Sequence, residues 1–139
     1  MSNTAHLELK SIEQGLRMEV VAGSGTAMTL DSGEGMIAPT PVEALLAALG
    51  GCLGMDVISL LRKKRQRVTA YSVDLEGERR TEHPRSFTKI EVVHRLTGHD
   101  LSAAAIEDSI RLSETHYCTV YHSLDPKIGI TSRYEIIAA

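Results

Sequence analysis

One segment in the first half of the chain determines the fold. Residues 40–65 read TPVEALLAALGGCLGMDVISLLRKKR. Thr40 is at the N-cap position, Pro41 at the first helical position and Glu43 three residues after the cap, an arrangement that satisfies the free amides at a helix start. Cations at the far end complement the helix dipole. The segment therefore predicts a helix that begins at Pro41 and ends near Lys64.

This helix is apolar on nearly every face, so it has to be enclosed. It is long enough to cross a bilayer, at about 1.5 Å per residue. Asp56 and three glycines interrupt it, however, and a buried core helix is favoured over a membrane span. Gly50 and Gly54 lie on one face, and each costs roughly 1 kcal/mol of helix propensity relative to alanine. We interpret this pair as a close helix crossing, with the same helix of a second subunit as a candidate partner.

Strands are predicted before and after this helix. Segments of alternating polarity predict strands at residues 5–11, 16–22, 26–30, 68–78 and 87–96. Asp100 is expected to cap a second helix that continues towards Cys118, and a last strand follows Pro126. The order βββ-α-ββ-α-β predicts an α+β fold in which strands and helices are segregated.

Length and composition restrict the function. The 139 residues, with a formal net charge of -3, predict a single domain over residues 1–139 and no nucleic-acid partner. No secretory signal is readable at the N-terminus, so a cytoplasmic location is expected. The two cysteines, Cys52 and Cys118, are 66 positions apart with no CxxC motif. This spacing fits neither a disulfide scaffold nor a four-cysteine zinc site. The two cysteines are therefore either inert core residues or residues with a redox function.

The surroundings of the cysteines leave several interpretations open. Cys52 lies in the most apolar part of the chain and is either a small buried side chain or a reactive thiol. Cys118 lies among polar and aromatic residues: His116, Tyr117, Tyr121 and His122. On a helix, Cys118 and His122 would share a face, and Cys52 could then complete a zinc site. In a further alternative without catalysis, a groove between apolar helices of a dimer binds a hydrophobic small molecule. His83, His94 and His99 are expected to be solvated.

Three features of the sequence together are characteristic of one protein family. They are the helix start Thr-Pro-Val-Glu, the following Leu-Leu-Ala-Ala-Leu-Gly-Gly-Cys and the second cysteine ahead of a terminal strand. From Glu8 onward the chain resembles the OsmC and organic hydroperoxide resistance (Ohr) family. The resemblance implies an OsmC-like fold, with antiparallel sheets wrapped around the long central helices of an intertwined homodimer. It also implies a thiol-dependent peroxidase in which Cys52 reduces organic hydroperoxides and Cys118 resolves it as a disulfide. The partners would be the substrate and a thiol reductant such as a lipoyl protein, with no cofactor or metal.

A peroxidatic cysteine reacts as a thiolate and needs a nearby cation. The resemblance places an arginine in a strand before the helix, where Arg17 is the only arginine ahead of residue 62. Arg17 is therefore a candidate site residue, and an exposed strand residue is the alternative. Family members carry a glutamate directly after the helix-start proline, where this chain has Val42. Glu43 is a tentative substitute, although it lies about 13 Å along the helix from the thiol of its own chain and has a capping role.

Overall fold

A computed structural model describes residues 1–13, 15–35 and 37–139 of the chain. Its elements, in chain order, are β1 (Ala5–Ser11), β2 (Arg17–Ala22), β3 (Ala27–Asp31), α1 (Pro41–Lys63), β4 (Arg67–Arg79), β5 (Phe87–His99), α2 (Ala103–Leu112), a π-helical turn (Ser113–Tyr117), α3 (Thr119–Ser123) and β6 (Gly129–Ala138). The predicted α+β fold is confirmed. The chain divides into two compact units, Met1–Leu45 and Leu46–Ala139, and the single domain stays a prediction.

The N-terminal unit contains an antiparallel sheet in the order β1-β2-β3. Its register places six apolar side chains on one face, in two rows of three: Leu7, Val20 and Met28, then Leu9, Met18 and Leu30. Val20 is buried, whereas Leu7, Leu9 and Met28 are exposed. A small sheet with an exposed apolar face is typical of a protein that associates with another surface.

The start of α1 has the predicted capping box. The backbone N–H of Thr40 donates to Glu43 Oε1 at 2.9 Å, and the backbone N–H of Glu43 donates to Thr40 Oγ1 at 3.2 Å. Two of the free amides at the helix start are thereby satisfied. The observed bounds, Pro41–Lys63, agree with the predicted helix.

One face of α1 packs in the core of the C-terminal unit. The residues buried on this face recur at helical spacing: Leu49, Gly50, Leu53, Gly54, Val57 and Leu61. Val57 and Leu61 join Leu96, Ile106 and Ile110 in one apolar cluster with β5 and α2. Met55, on another face, is 76% exposed. Although α1 has the length and apolar composition of a membrane span, it is the core helix of this fold.

Within this chain, Gly50 and Gly54 face side chains of β4, and their close crossing with the same helix of a second subunit stays a prediction. A Cβ atom at Gly50 would lie 2.5 Å from Leu75 Cδ1, and one at Gly54 would lie 3.0 Å from the Tyr71 ring. The glycines therefore allow side chains of β4 to approach α1 closely. Gly51 has no such neighbour within 4 Å.

The C-terminal sheet has the order β4-β5-β6, with β5 in the centre. β4 and β5 are antiparallel, as predicted. β6 runs parallel to β5, because the segment from α2 to α3 crosses over and returns the chain to the same end of the sheet.

The predicted cap of the second helix is wrong by two residues. Asp100 has a positive φ of 51° and belongs to the turn after β5. Ser102 is the N-cap instead, since its hydroxyl accepts a hydrogen bond of 3.2 Å from the backbone N–H of Ala105.

Candidate active site

Two thiols and a carboxylate converge in the C-terminal unit. The Sγ atoms of Cys52 and Cys118 and a carboxylate oxygen of Asp56 all lie within 4.8 Å of one another. Both cysteines are free thiols in this structure. The structure thus brings together the two cysteines that the sequence singles out, and adds Asp56.

Local helix geometry explains the position of Asp56. Cys52 and Asp56 are four residues apart on α1, and such residues are neighbours on a helix surface. The hydroxyl of Ser113 donates a hydrogen bond of 2.9 Å to Asp56 Oδ2, which ties α1 to the π-helical turn. Asp56 was missed as a site residue, although its spacing from Cys52 is a signal present in the sequence.

The π-helical turn positions Cys118. The backbone N–H of Cys118 donates to the carbonyl oxygen of Ser113 at 2.8 Å, and this bond closes the π-helical turn that follows α2. Cys118 then has extended backbone and caps α3, where its Sγ accepts a hydrogen bond of 3.3 Å from the backbone N–H of Tyr121. Single π turns of this kind are frequent at functional sites.

The two thiols have different environments. Cys118 is fully buried, whereas Cys52 is only partly buried. Burial raises the pKa of Cys118, and the hydrogen bond with Cys52 and the negative charge of Asp56 act in the same direction. Cys118 is therefore a neutral thiol at neutral pH, and Cys52 is the more accessible of the two.

Arg17 and Glu43 belong to the N-terminal unit, so their place beside Cys52 stays a prediction. Arg17 pairs with Asp31 across β2 and β3. The pKa of Asp31 is lowered, first by the backbone N–H of Gly33 and also by the charge of Arg17. Among the described residues, the buried Nε of Arg17 has no hydrogen-bond partner. The Glu43 carboxylate is engaged in the capping box.

In the alternative zinc site of Cys52, Cys118 and His122, the assignment of His122 as a ligand is wrong. Within the described ranges, the group that could hold an ion is Cys52, Asp56 and Cys118. His122 is exposed on α3, while the Cys118 side chain turns inward to cap the same helix. Three protein donors are fewer than the four of a closed structural zinc site.

An apolar groove of about 420 Å³ lies between α1 and β4. Its walls include Gly51, Met55 and Ile58 of the helix and Tyr71 and Val73 of the strand. This groove is formed within one chain, whereas the predicted groove lies between helices of a dimer.

The expectation that His94 is solvated is wrong. His94 is fully buried, and its Nδ1 is 2.6 Å from the Tyr71 hydroxyl. β5 is the central strand of the sheet, and His94 shares a face with Ile90, Val92 and Leu96, which are all buried. His83 and His99 are exposed, as expected.

Comparisons with known proteins agree with the fold and with the family resemblance of the sequence. A family model described as OsmC-like protein matches residues 32–133. Protein YhfA of Escherichia coli K12 is 41% identical over 126 residues, which cover 91% of this chain and 94% of the relative.

Two solved structures share the fold over nearly their full length. A hypothetical protein from Aquifex aeolicus VF5 superposes with a TM-score of 0.87 at 29% identity, covering 100% of this chain and 98% of that one. The organic hydroperoxide resistance protein OhrB of Bacillus subtilis superposes with a TM-score of 0.63 at 10% identity, covering 97% and 98%. The family model and the similarity to YhfA together show that this chain belongs to the OsmC-like protein family.

Proposed function

We propose that this protein is a thiol-dependent peroxidase that reduces organic hydroperoxides through Cys52 and Cys118. The observation that carries the proposal is the distance between their sulfur atoms, at most 4.8 Å despite a sequence separation of 66 residues. A disulfide joins sulfurs about 2.05 Å apart, so a small movement suffices to form one. Membership of the OsmC-like family supports this chemistry.

The reaction has three balanced steps. The thiolate of Cys52 attacks the hydroperoxide, the O–O bond breaks, and the products are a sulfenic acid on Cys52 and an alcohol that takes up a proton. Cys118 then loses its proton and attacks that sulfenic acid through sulfur, which forms the disulfide and releases the oxygen as water. An external thiol reductant, for which a lipoyl protein is a candidate, returns both cysteines to thiols by exchange.

Burial supports the assignment of the two roles. A peroxide has to reach the peroxidatic sulfur, and Cys52 is the partly exposed thiol, whereas Cys118 is fully buried. The raised pKa of Cys118 also disfavours it as the first nucleophile, since the thiolate is the reactive form.

The proposed active unit is a cytoplasmic homodimer in which Arg17 stabilises the Cys52 thiolate. The buried Nε of Arg17, unpartnered among the described residues, supports a guanidinium that is available to an anion. Val42 stands where the family has a glutamate, and Glu43 is occupied at the helix cap. Asp31 lies opposite Arg17 in the register of β2 and β3, and its carboxylate oxygens accept hydrogen bonds from the backbone N–H groups of Gly33 and Ile37.

Thiol counting tests the proposal against its alternatives. The reduced protein is treated with one equivalent of cumene hydroperoxide, and free thiols and intact mass are measured before and after. We expect loss of both thiols, a mass lower by two hydrogens and formation of the alcohol. An unchanged thiol count with unconsumed peroxide would contradict the proposed function. Native mass spectrometry of the untreated protein reports a bound metal in the same experiment.

A second candidate is a non-catalytic protein that binds a hydrophobic small molecule. The apolar groove between α1 and β4 favours it, because its volume of about 420 Å³ lies within the range of known ligand sites. The test is displacement of a fluorescent apolar probe, compared between the protein and a Gly51→Phe variant that fills the groove. Saturable binding lost in the variant, with no peroxide consumption, would support this candidate instead.

A further inference from the structure

The resolving step of the proposed reaction needs a proton acceptor. Cys118 is fully buried, and burial favours the neutral thiol over the thiolate. Attack on a sulfenic acid requires the thiolate, and the fully buried Cys118 side chain has no contact with bulk water that could take its proton. A group within the protein therefore has to remove the proton as Cys118 attacks.

Asp56 is the carboxylate that lies beside both thiols. One of its carboxylate oxygens lies within 4.8 Å of both sulfur atoms, and its Oδ2 atom is fixed by the Ser113 hydroxyl at 2.9 Å. Ser113 is itself fully buried and belongs to the turn that holds the backbone of Cys118. A single hydrogen-bonded unit thus holds the carboxylate and the resolving cysteine together.

We infer that Asp56 accepts the proton of Cys118 as this thiol attacks the Cys52 sulfenic acid, and that it then delivers the proton to the departing hydroxide. The S–S bond forms, the S–O bond of the sulfenic acid breaks, and the oxygen leaves as water. Asp56 ends the step as the carboxylate that began it. This inference rests on the proposed function and adds a proton-transfer residue to it.

The other titratable groups around Cys118 do not fill this role. Burial and the charge of Glu114 raise the pKa of Tyr121, so its hydroxyl stays protonated. The Glu114 carboxylate is hydrogen-bonded by the Ser132 hydroxyl and lies outside the cluster of thiols and carboxylate. Cys52 is the electrophile in this step.

An Asp56→Asn variant gives the test, because two roles for Asp56 predict opposite results. A carboxylate that acts only through its charge disfavours the Cys118 thiolate, so its removal would speed disulfide formation. A carboxylate that accepts the proton speeds the step, so its removal would slow it. The measurement is a single turnover with cumene hydroperoxide, quenched at intervals and analysed by mass spectrometry for Cys52 sulfenic acid and for disulfide.

In Asp56→Asn we expect sulfenic acid to form at least as fast as in the wild type and disulfide to form about 10- to 100-fold more slowly at pH 7. The rate of disulfide formation in the variant should rise about tenfold per pH unit, because it depends on the fraction of Cys118 that is ionised without a base. The wild-type rate should be nearly flat over the same range. Disulfide formation as fast as in the wild type, or faster, would overturn the inference.

Two further variants keep the test decisive. Ser113→Ala leaves the carboxylate in place but removes its hydrogen bond, and we expect a smaller slowing of the same step; an unchanged rate would contradict the positioning argument. Glu114→Gln removes a nearby carboxylate outside the cluster and should match the wild type. Failure of the wild type to consume the peroxide and form the disulfide would instead contradict the proposed function itself.

Discussion

The hydroxyl of Tyr71 and Nδ1 of His94 are joined by a hydrogen bond of 2.6 Å within the C-terminal unit. The other ring nitrogen of His94 is buried without a partner among the described residues. Burial lowers the pKa of His94 to about 4 and raises that of Tyr71. Both side chains are therefore neutral near pH 7, and a proton on His94 would be an uncompensated buried charge.

The first prediction concerns stability against pH. The pKa of His94 is lower in the folded protein than in the unfolded chain, so the unfolded chain binds the proton more readily and stability falls as pH falls from about 6.5 to about 4. We expect a loss of about 2 kcal/mol between pH 7 and pH 5 from this group. Urea denaturation of the wild type and His94→Gln measures it. An equal pH dependence in both proteins would contradict the assignment.

The second prediction separates two glycines of α1. A side chain at Gly54 meets the Tyr71 ring, whereas Gly51 has no neighbour within 4 Å. Gly54→Leu should destabilise the protein by about 1–3 kcal/mol, the usual cost of overpacking. Gly51→Leu, the matched control, should leave stability unchanged or raise it by up to about 1 kcal/mol, because leucine is a better helix former than glycine. Equal effects at the two positions, in thermal and urea unfolding, would count against the described packing of α1 on β4.

The third prediction concerns Arg17. If its charge stabilises the Cys52 thiolate, Arg17→Ala should move the alkylation rate of Cys52 towards higher pH and slow the reaction with peroxide near neutral pH. Arg17→Lys should restore only part of the rate, because an ammonium lacks the planar two-donor fork of a guanidinium. The measurement is iodoacetamide alkylation against pH in a Cys118→Ser background. Coincident curves for the arginine and alanine proteins would remove Arg17 from the site.

The fourth prediction is obligate dimerisation. Met55 is 76% exposed on α1, and apolar residues of the N-terminal sheet such as Leu9 are 52% exposed. Such surfaces are expected to be buried against a second copy of the chain. Sedimentation should show a dimer, and Met55→Glu should weaken it, whereas Thr81→Glu, an equal charge change in an exposed loop, should not. A stable wild-type monomer at micromolar concentration would be the contrary result.

Local signals in the sequence were sufficient for most of the fold. The bounds of α1 follow from Thr40 and Glu43, because a capping box acts through residues three apart and needs no tertiary context. The strands β1 and β4 follow from alternation in the same way. The pairing of β6 with β5 could not be predicted, since it depends on a long crossover. Without β6 as a predicted neighbour, β5 could not be recognised as the central strand, and the burial of His94 was not predicted.

The residues of the candidate site were likewise predicted only where local signals or the family pattern were sufficient. Cys52 and Cys118 were found from their spacing and the family pattern, and the structure places their sulfurs together. Asp56 was treated as an interruption of an apolar helix, because its hydrogen bond comes from Ser113, 57 positions away in the sequence. His122 was grouped with Cys118 on the assumption of a continuous helix. The π-helical turn and the extended backbone of Cys118 break that helix.

The central claim is that Cys52 is the peroxidatic thiol and Cys118 resolves it. Its most direct test is to treat Cys118→Ser with one equivalent of cumene hydroperoxide, add dimedone and map the adduct by peptide mass spectrometry. The account predicts one dimedone adduct on Cys52, because the sulfenic acid has no resolving thiol, and no peroxide consumption by Cys52→Ser. Retained peroxide consumption by Cys52→Ser, or an unmodified Cys52 in the Cys118→Ser protein, would contradict it.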